Sequence, residues 1–481
     1  MNRRTFFILA AIAAVGSAFA GDRPNVLFIL KDDQRFDTVH ALGNDQVITP
    51  VADTLVAAGT TFRNFYIMGG NSGAVCLPSR AMFNTGRGLF SLAKNGNQIG
   101  AQDALLGETF RNAGYETFGV GKWHNGQESY YRSFTCGGPI MLSGMSDQFN
   151  PPLRDFDPSG KAPIYHPKDR PETAGKHSSE IYADAAVNFL AQHDPSKPFF
   201  VYLAFQSPHD PRTAPPRYHA MYDPEKLPLP SNYLPEHPFR IGDDRIRDEK
   251  LAPFPRTPDI VRKNLADYYA MVTHDDYQIG RVIQLLKDKG IYDNTIIVFT
   301  ADNGLSIGQH GLFGKQNVYD CSTHIPLILS GPGVPKGQSR DALCYSIDLF
   351  PTLCTLAQLP VPSTVQGLEF TPSLADTTKP HRKVLIHAYK NYERALRTPE
   401  WKLIRSSFEG TDHVQLFDIV KDPLEVTDLS GNAEYAPLIA ELDRQLQDEL
   451  KAVGDQALID RPGFCLEIGK KKNKQNNDEA E

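Results

Sequence analysis

The sequence predicts an α/β fold: a large domain with a mainly parallel central sheet flanked by helices, then a small C-terminal domain with an antiparallel sheet and a helix. Three observations predict it. Short continuous apolar runs at 25–30, 198–205 and 295–300 read as strands buried on both faces. They alternate with helical segments, which implies βα units in a layered sheet. From about Leu385 the pattern changes to short extended segments separated by turns.

The elements follow in order. After the strand at 25–30, Thr49-Pro50 caps and starts a helix through Ala58, which Gly59 ends. A helix at 105–113 stops at Gly114, and a strand follows at 116–120. Helix 181–192 precedes the strand at 198–205, and a long helix at 262–289, ended by Gly290, precedes the strand at 295–300. A strand at 325–329 and a helix at 347–358 complete the large domain. Extended segments at 384–389, 393–396, 401–405 and 414–417 and a helix at 434–453 form the small one. The stretches 130–176 and 213–259, rich in Pro, Asp, Arg and Gly, read as long surface loops that shape a substrate pocket. The expected division is a leader at 1–20, a catalytic domain at 21–380, a smaller domain at 381–460 and a polar tail at 461–481.

The leader has the form of a secretory signal peptide. Asn2-Arg3-Arg4 is basic, 5–16 is apolar, and Ala18-Phe19-Ala20 is a small-x-small cleavage site before Gly21. No later segment has the roughly 18 uninterrupted apolar residues of a membrane span, so no stable membrane insertion is expected. The mature chain is expected to be exported, to a periplasm or beyond the cell. Loss of Arg3 and Arg4 takes the net charge from −7 to −9, which argues against nucleic acid as a partner. Binding of any anion must therefore rest on local cations.

Those cations gather where strands end, the edge at which ligands bind open α/β sheets. The strand at 25–30 runs into Asp32-Asp33, and the strand at 295–300 into Asp302-Asn303-Gly304. This oxygen-rich set favours Ca²⁺ or Mg²⁺ over zinc. In the Gly-rich block 114–124, Lys122 and His124 project to one side of an extended chain, pairing a cation with a titratable imidazole. Ser207-Pro208-His209-Asp210-Pro211-Arg212 follows the strand at 198–205, and His310 to Gln316, with Lys315, follows the Asp-Asn-Gly turn. Cys76-Leu77-Pro78-Ser79-Arg80, continued by Thr85-Gly86-Arg87, is the most specific stretch.

That run resembles the first signature of the type I sulfatases, whose cysteine is oxidised after translation to Cα-formylglycine. The hydrated aldehyde is a gem-diol, a nucleophile no encoded side chain supplies. The chain resembles this family, within the alkaline phosphatase superfamily, over nearly its whole mature length. The resemblance rests on Asp32-Asp33, both signature blocks, His209, Asp302-Asn303-Gly304, Lys315 and the C-terminal pattern, in the family's order. It implies an alkaline phosphatase-like fold and one Ca²⁺ held by Asp32, Asp33, Asp302, Asn303 and the oxygen of modified Cys76. It implies that Arg80, Lys122 and Lys315 cradle the sulfate oxygens and that the residue 76 hydrate attacks sulfur in line, with Asp302 as proton acceptor. His209, with Lys315, would protonate the departing alcohol, and His124 would take the proton from the second hydroxyl.

A formylglycine-generating or anaerobic sulfatase-maturating enzyme is the implied partner. The expected substrate is a sulfated saccharide derived from polysaccharide and cleaved by exo action. Asp210, Arg212 and His310 are the candidate substrate contacts. Two other readings compete: a phosphoester or phosphonate monoester hydrolase of the same superfamily, and a sulfated-glycan binding protein with a dead site. The second is weak, because no catalytic position is missing. With Cys76 modified, Cys136, Cys321, Cys344, Cys354 and Cys465 remain, so at least one stays unpaired. No Cys-x-x-Cys pair supports zinc or thioredoxin-like chemistry.

Overall fold

A computed structural model describes residues 23–160, 164–165 and 173–455. The expected leader and tail, and Cys465, lie outside the described residues. The strands in chain order are β1 (Asn25–Lys31), β2 (Gly59–Tyr66), β3 (Gly69–Gly70), β4 (Glu116–Lys122), β5 (Cys136–Met141), β6 (Leu153–Asp155), β7 (Ile164–Tyr165) and β8 (Phe199–Ala204). They continue with β9 (Thr295–Ala301), β10 (Leu327–Ser330), β11 (Gln338–Tyr345), β12 (Leu385–Tyr389), β13 (Glu393–Arg397), β14 (Trp401–Phe408) and β15 (Thr411–Asp418).

Ten strands form the large sheet in the order β11-β2-β10-β9-β1-β8-β4-β5-β6-β7. β1 lies at its centre, parallel to both β8 and β9, and every residue of it is buried. Its side chains alternate between two cores. Val26, Phe28 and Leu30 join Phe83, Phe110, Leu349 and Phe350 on one face. Leu27 and Ile29 join Ile181, Ile279, Val282 and Leu286 on the other, under the helices Ser178–Gln192 and Pro258–Asp288.

The sheet is more mixed than expected. β10 runs antiparallel to both β9 and β2, and β6 is antiparallel to β5 and β7. A strand buried on both faces carries the same apolar run in either direction, so its sequence does not fix its sense. The reversal has a consequence for the site: the connection from β9 to β10 leaves and re-enters at one edge, which keeps residues 302–326 at the carboxyl end of β1. The stretch 130–176, expected as surface loop, contains β5 and β6, with Ile140 and Met141 fully buried. Gly137, Gly138 and Pro139 hide β5 from composition, since such residues are scarce inside strands. The helix Cys76–Thr85 and strands β2 and β11 were not read from the sequence either.

The second sheet has the order β15-β14-β13-β12-β3 and is antiparallel except where β12 meets β3. Its fifth strand, Gly69–Gly70, thus comes from the first quarter of the chain. The helix Ala436–Ala452 covers one face through Leu442, Leu446 and Leu450 against Ile386, Leu396, Leu403 and Leu416. No helix among the described residues is long and apolar enough to cross a membrane.

Candidate active site

Four strand ends and one helix start converge. Beyond β1, Asp33 turns the chain with φ 65°, a left-handed conformation that Asp tolerates better than most residues. The turn is pinned from behind: the Tyr268 hydroxyl donates to the Asp33 carbonyl at 2.7 Å and accepts from the Arg35 amide at 3.0 Å. From β9, the Asp302 amide donates to the Lys31 carbonyl at 2.9 Å, and the Asp33 amide donates to Asp302 Oδ1 at 3.2 Å. The helix Cys76–Thr85 presents Cys76, Ser79 and Arg80 on one face by its i, i+3, i+4 spacing. Ser79 Oγ donates to the Asp302 carbonyl, Arg80 Nε to Asp302 Oδ2 at 2.7 Å, and Arg80 Nη1 to the Lys122 carbonyl.

Cys76 is buried at the start of that helix. Its Sγ lies 3.6 Å from Lys122 Nζ and 3.4 Å from His124 Nδ1. Lys122 Nζ also pairs with Asp32 Oδ2. Asp33 Oδ1 accepts from Lys315 Nζ and from Asn303 Nδ2, each at 2.6 Å. His209 Nε2 lies 3.7 Å from Asp33 Oδ2, while its Nδ1 is 2.8 Å from the Asp210 carbonyl oxygen. Ligand atoms of Asp32, Cys76 and Asp302 all lie within 4.8 Å of one another, as do those of Asp32, Asp33 and His209.

The charges in this cluster are strongly coupled. Burial would push the Asp32 carboxyl up, but Lys122, His209 and Arg80 outweigh it and hold the group well below the usual carboxylate range. Burial, reinforced by Asp32, pushes Asp302 up to about 7 despite Arg80 and Lys122. Burial also lowers His124 to about 2, with Lys122 and Arg80 adding to the effect, so its imidazole is neutral across the ordinary pH range. Burial raises the Cys76 thiol, opposed by Lys122 and Lys315.

Two oxygens test the site for a cation. Asp32 Oδ1 and Asn303 Oδ1 are buried and accept no hydrogen bond among the described residues. Unmet buried acceptors are rare and require a partner. Both point to the same kind of partner, a hard cation with oxygen ligands, and the donor set of three carboxylates and an amide fits Ca²⁺ or Mg²⁺. The raised Asp302 agrees, because carboxylates crowded at this density call for one more positive charge.

The family follows from comparison of the whole chain. The sulfatase family model matches residues 24–359. The chain belongs to the sulfatase family. It is a sulfuric ester hydrolase of the alkaline phosphatase superfamily. A second family model, the C-terminal region of N-sulphoglucosamine sulphohydrolase, matches residues 308–452 of this sulfatase. The N-acetylglucosamine-6-O-sulfatase of Bacteroides thetaiotaomicron is 26% identical, over 90% of this chain and 87% of its own. An arylsulfatase of Clostridium perfringens is 27% identical, over 89% and 95%. A solved structure with its substrate D-glucosamine-2-N,6-O-disulfate has a TM-score of 0.76 at 24% identity, covering 92% of the sulfatase described here and 100% of that chain. The α/β fold with a second, smaller sheet is thus that of the superfamily.

The structure brings together Asp32, Asp33, Cys76, Arg80, Lys122, His124, His209, Asp302, Asn303 and Lys315. It does not bring His310 there. That ring stacks on Tyr319, with centroids 3.9 Å apart, and its Nε2 lies 3.2 Å from Asn232 Nδ2. Burial, with His237 and Lys402, lowers its pKa to about 3. Asp210 stands beside His209, and Arg247 donates to both its oxygens, at 2.6 and 2.9 Å. Three supports carried no sequence signal. Tyr268 holds the Asp33 turn. Glu249 accepts from the Phe313 and Gly314 amides and from Arg256, which seats the loop bearing Lys315. Gly144 lies against His124, where a Cβ would come within 2.7 Å of the imidazole.

Proposed function

We propose that this sulfatase removes sulfate, by exo action, from a sulfated carbohydrate derived from polysaccharide, using formylglycine made from Cys76 and one Ca²⁺. One observation carries the reading: the buried Cys76 Sγ sits between Lys122 Nζ and His124 Nδ1, beside the unmet oxygens of Asp32 and Asn303. Asp32, Asp33, Asp302, Asn303 and the residue 76 oxygen would hold the ion. When present, metal and hydrated aldehyde supply a Lewis acid and a nucleophile. Around them, Lys122 and Lys315 would face the oxygens of a sulfate ester, with Arg80, bonded to Asp302 and the Lys122 carbonyl, adding positive charge from behind, a preorganised electrostatic cradle. Asp302, raised by burial, would accept a proton from residue 76. His124 Nδ1 lies 3.4 Å from the residue 76 sulfur and would take a second one. His209 donates from Nδ1 to the Asp210 carbonyl, which leaves Nε2 to protonate the departing alcohol with Lys315 nearby.

The carbohydrate part is supported by the N-acetylglucosamine-6-O-sulfatase, and by the structure solved with a glucosamine disulfate as its substrate, among the similar proteins. Export through the leader belongs to the same proposal and would bring the enzyme to a polymer-derived substrate outside the cytoplasm. Cys76, Ser79 and Arg80 are buried in the folded chain, so a formylglycine-generating or anaerobic sulfatase-maturating enzyme must read this run before folding.

Rates on an aryl sulfate and an aryl phosphate, measured side by side, test the reaction class, and sulfate is expected to be the better substrate. Peptide mass spectrometry should find the Cys76 peptide lighter by about 18 Da, the change from thiol to aldehyde at a reactive cysteine. Chelation should abolish turnover and added Ca²⁺ restore it. A Cys76→Ser protein that turns over at the wild-type rate would sink the mechanism. Cleavage of aryl sulfates alone, with a panel of defined sulfated mono- and disaccharides untouched, would sink the carbohydrate assignment.

A further inference from the structure

Arg212 lies three residues beyond His209 on the loop that follows β8. Its Nη1 donates to Asn264 Oδ1 at 2.8 Å. Its Nε and Nη2 are buried and have no hydrogen-bond partner among the described residues. Those two nitrogens form a single edge of the guanidinium, the edge that grips two oxygens of a carboxylate or sulfate in parallel hydrogen bonds. Buried charged donors are expensive to leave unmet, so a native protein or its ligand supplies the acceptor.

The neighbouring carboxylates are already engaged. Arg247 takes both oxygens of Asp210 and also pairs with Asp248 at 2.8 Å. Asp248 further accepts from Gln316 at 2.6 Å. Lys315 and Asn303 take Oδ1 of Asp33, and its Oδ2 lies 3.7 Å from His209 Nε2. Arg212 is therefore a buried cation without a dedicated counter-ion among the described residues. Its position is fixed relative to the site. Asn264 and Tyr268 are one turn apart on the helix Pro258–Asp288; the first holds Arg212 and the second holds the Asp33 carbonyl. Asp33 and Asp210 both act on its charge.

We propose that the Nε/Nη2 edge of Arg212 binds a second anionic group of the saccharide, a carboxylate or a further sulfate ester, on the side where His209 faces the leaving alcohol. This rests on the carbohydrate sulfatase reading above. It makes the enzyme selective for saccharides that carry an anion near the scissile ester. A lysine cannot replace the planar fork.

The test uses three sulfated disaccharides that differ at one position, bearing a carboxylate, a second sulfate or a neutral hydroxymethyl group. Wild-type kcat/KM should favour one anionic disaccharide over the neutral one by about tenfold or more, the size of a charge-assisted contact. The favoured one identifies the group. Arg212→Gln should bring that ratio close to one, and Arg212→Lys should restore it only in part. Equilibrium binding of the three disaccharides lacking only the scissile sulfate to Cys76→Ala protein should give the same order without turnover. An aryl sulfate serves as the separate check of the underlying reading. Cleavage of it with no anion preference overturns the Arg212 assignment alone, as does a full preference retained by folded Arg212→Gln. Failure on every sulfate ester overturns both. Should Arg212→Gln not fold, the wild-type ratio and Arg212→Lys decide.

Discussion

Lys122 is shared by three groups. Its ammonium pairs with Asp32 and lies beside Cys76, and its carbonyl accepts from Arg80. A single side chain thus ties the metal-ligand candidate, the residue to be modified and the buried arginine into one rigid unit. His124 is held less directly. Its backbone is left-handed at φ 63°, and Gly144 leaves room for the far edge of its ring. A Cβ at 144 would stand 2.7 Å from Cε1 and Nε2, so the imidazole must move. Gly144→Ala should therefore lower kcat by about 10- to 100-fold, the cost of misplacing a reacting group by about 1 Å, while the thermal midpoint changes little. Steady-state kinetics with calorimetry checks this, and an unchanged kcat would detach His124 from the reaction. Cys76, Lys122 and His124 were legible in the sequence because each stands in a dense local pattern. Gly144 was not, because its meaning lies in a contact with a residue twenty positions earlier in the chain.

Elements were legible where an apolar run is continuous or where a turn residue marks an end. The helix Pro258–Asp288 and strands β1, β8 and β9 appear within a few residues of their expected limits. The helix Cys76–Thr85 was not read, since polar Ser79, Arg80, Asn84 and Thr85 are buried along with its apolar residues and no amphipathic period survives. The Lys315 loop was read only as a loop. Its shape comes from Glu249, far off in a segment of turns, whose carboxylate meets two loop amides and the fully buried Arg256. Glu249→Ala leaves that guanidinium without its counter-ion and should destabilise the protein by about 3–5 kcal/mol, the usual effect of breaking a buried pair. Glu249→Gln, which keeps one acceptor, should fall between. Denaturant unfolding measures both, and a loss for Glu249→Ala within that of an exposed substitution would mean the loop is held elsewhere.

At the scale of the molecule the two sheets are one folding problem. The second, smaller sheet was legible as a change of pattern from about Leu385, but the loan of Gly69–Gly70 to it was not, for two glycines carry no strand signal. Charges are buried between the parts as well: Lys402 on β14 pairs with Asp320 and Glu425, each at 2.5 Å. Next to them Glu393, at the start of β13, has one oxygen on Ser406 Oγ at 3.3 Å and the other without a hydrogen-bond partner among the described residues. Burial raises this carboxyl to about 8, against the opposing pull of Ser406 and Lys402. In the unfolded chain a glutamate titrates near 4.3. Between those values the folded protein keeps a proton that the unfolded chain has released, so stability falls as pH rises from about 4.3 to about 8. The loss attributable to Glu393 is on the order of 3–5 kcal/mol at the alkaline end. Glu393→Gln keeps the shape and the acceptor but cannot ionise. Its thermal midpoint should match that of the wild type near pH 5 and exceed it by several degrees at pH 8.5. Glu249, raised to about 7, leaves a residual slope in both proteins, so the difference between the two curves isolates Glu393. Parallel curves from pH 5 to 8.5 would mean that this carboxylate is already charged in the folded state, with Lys402 divided among three acids rather than two.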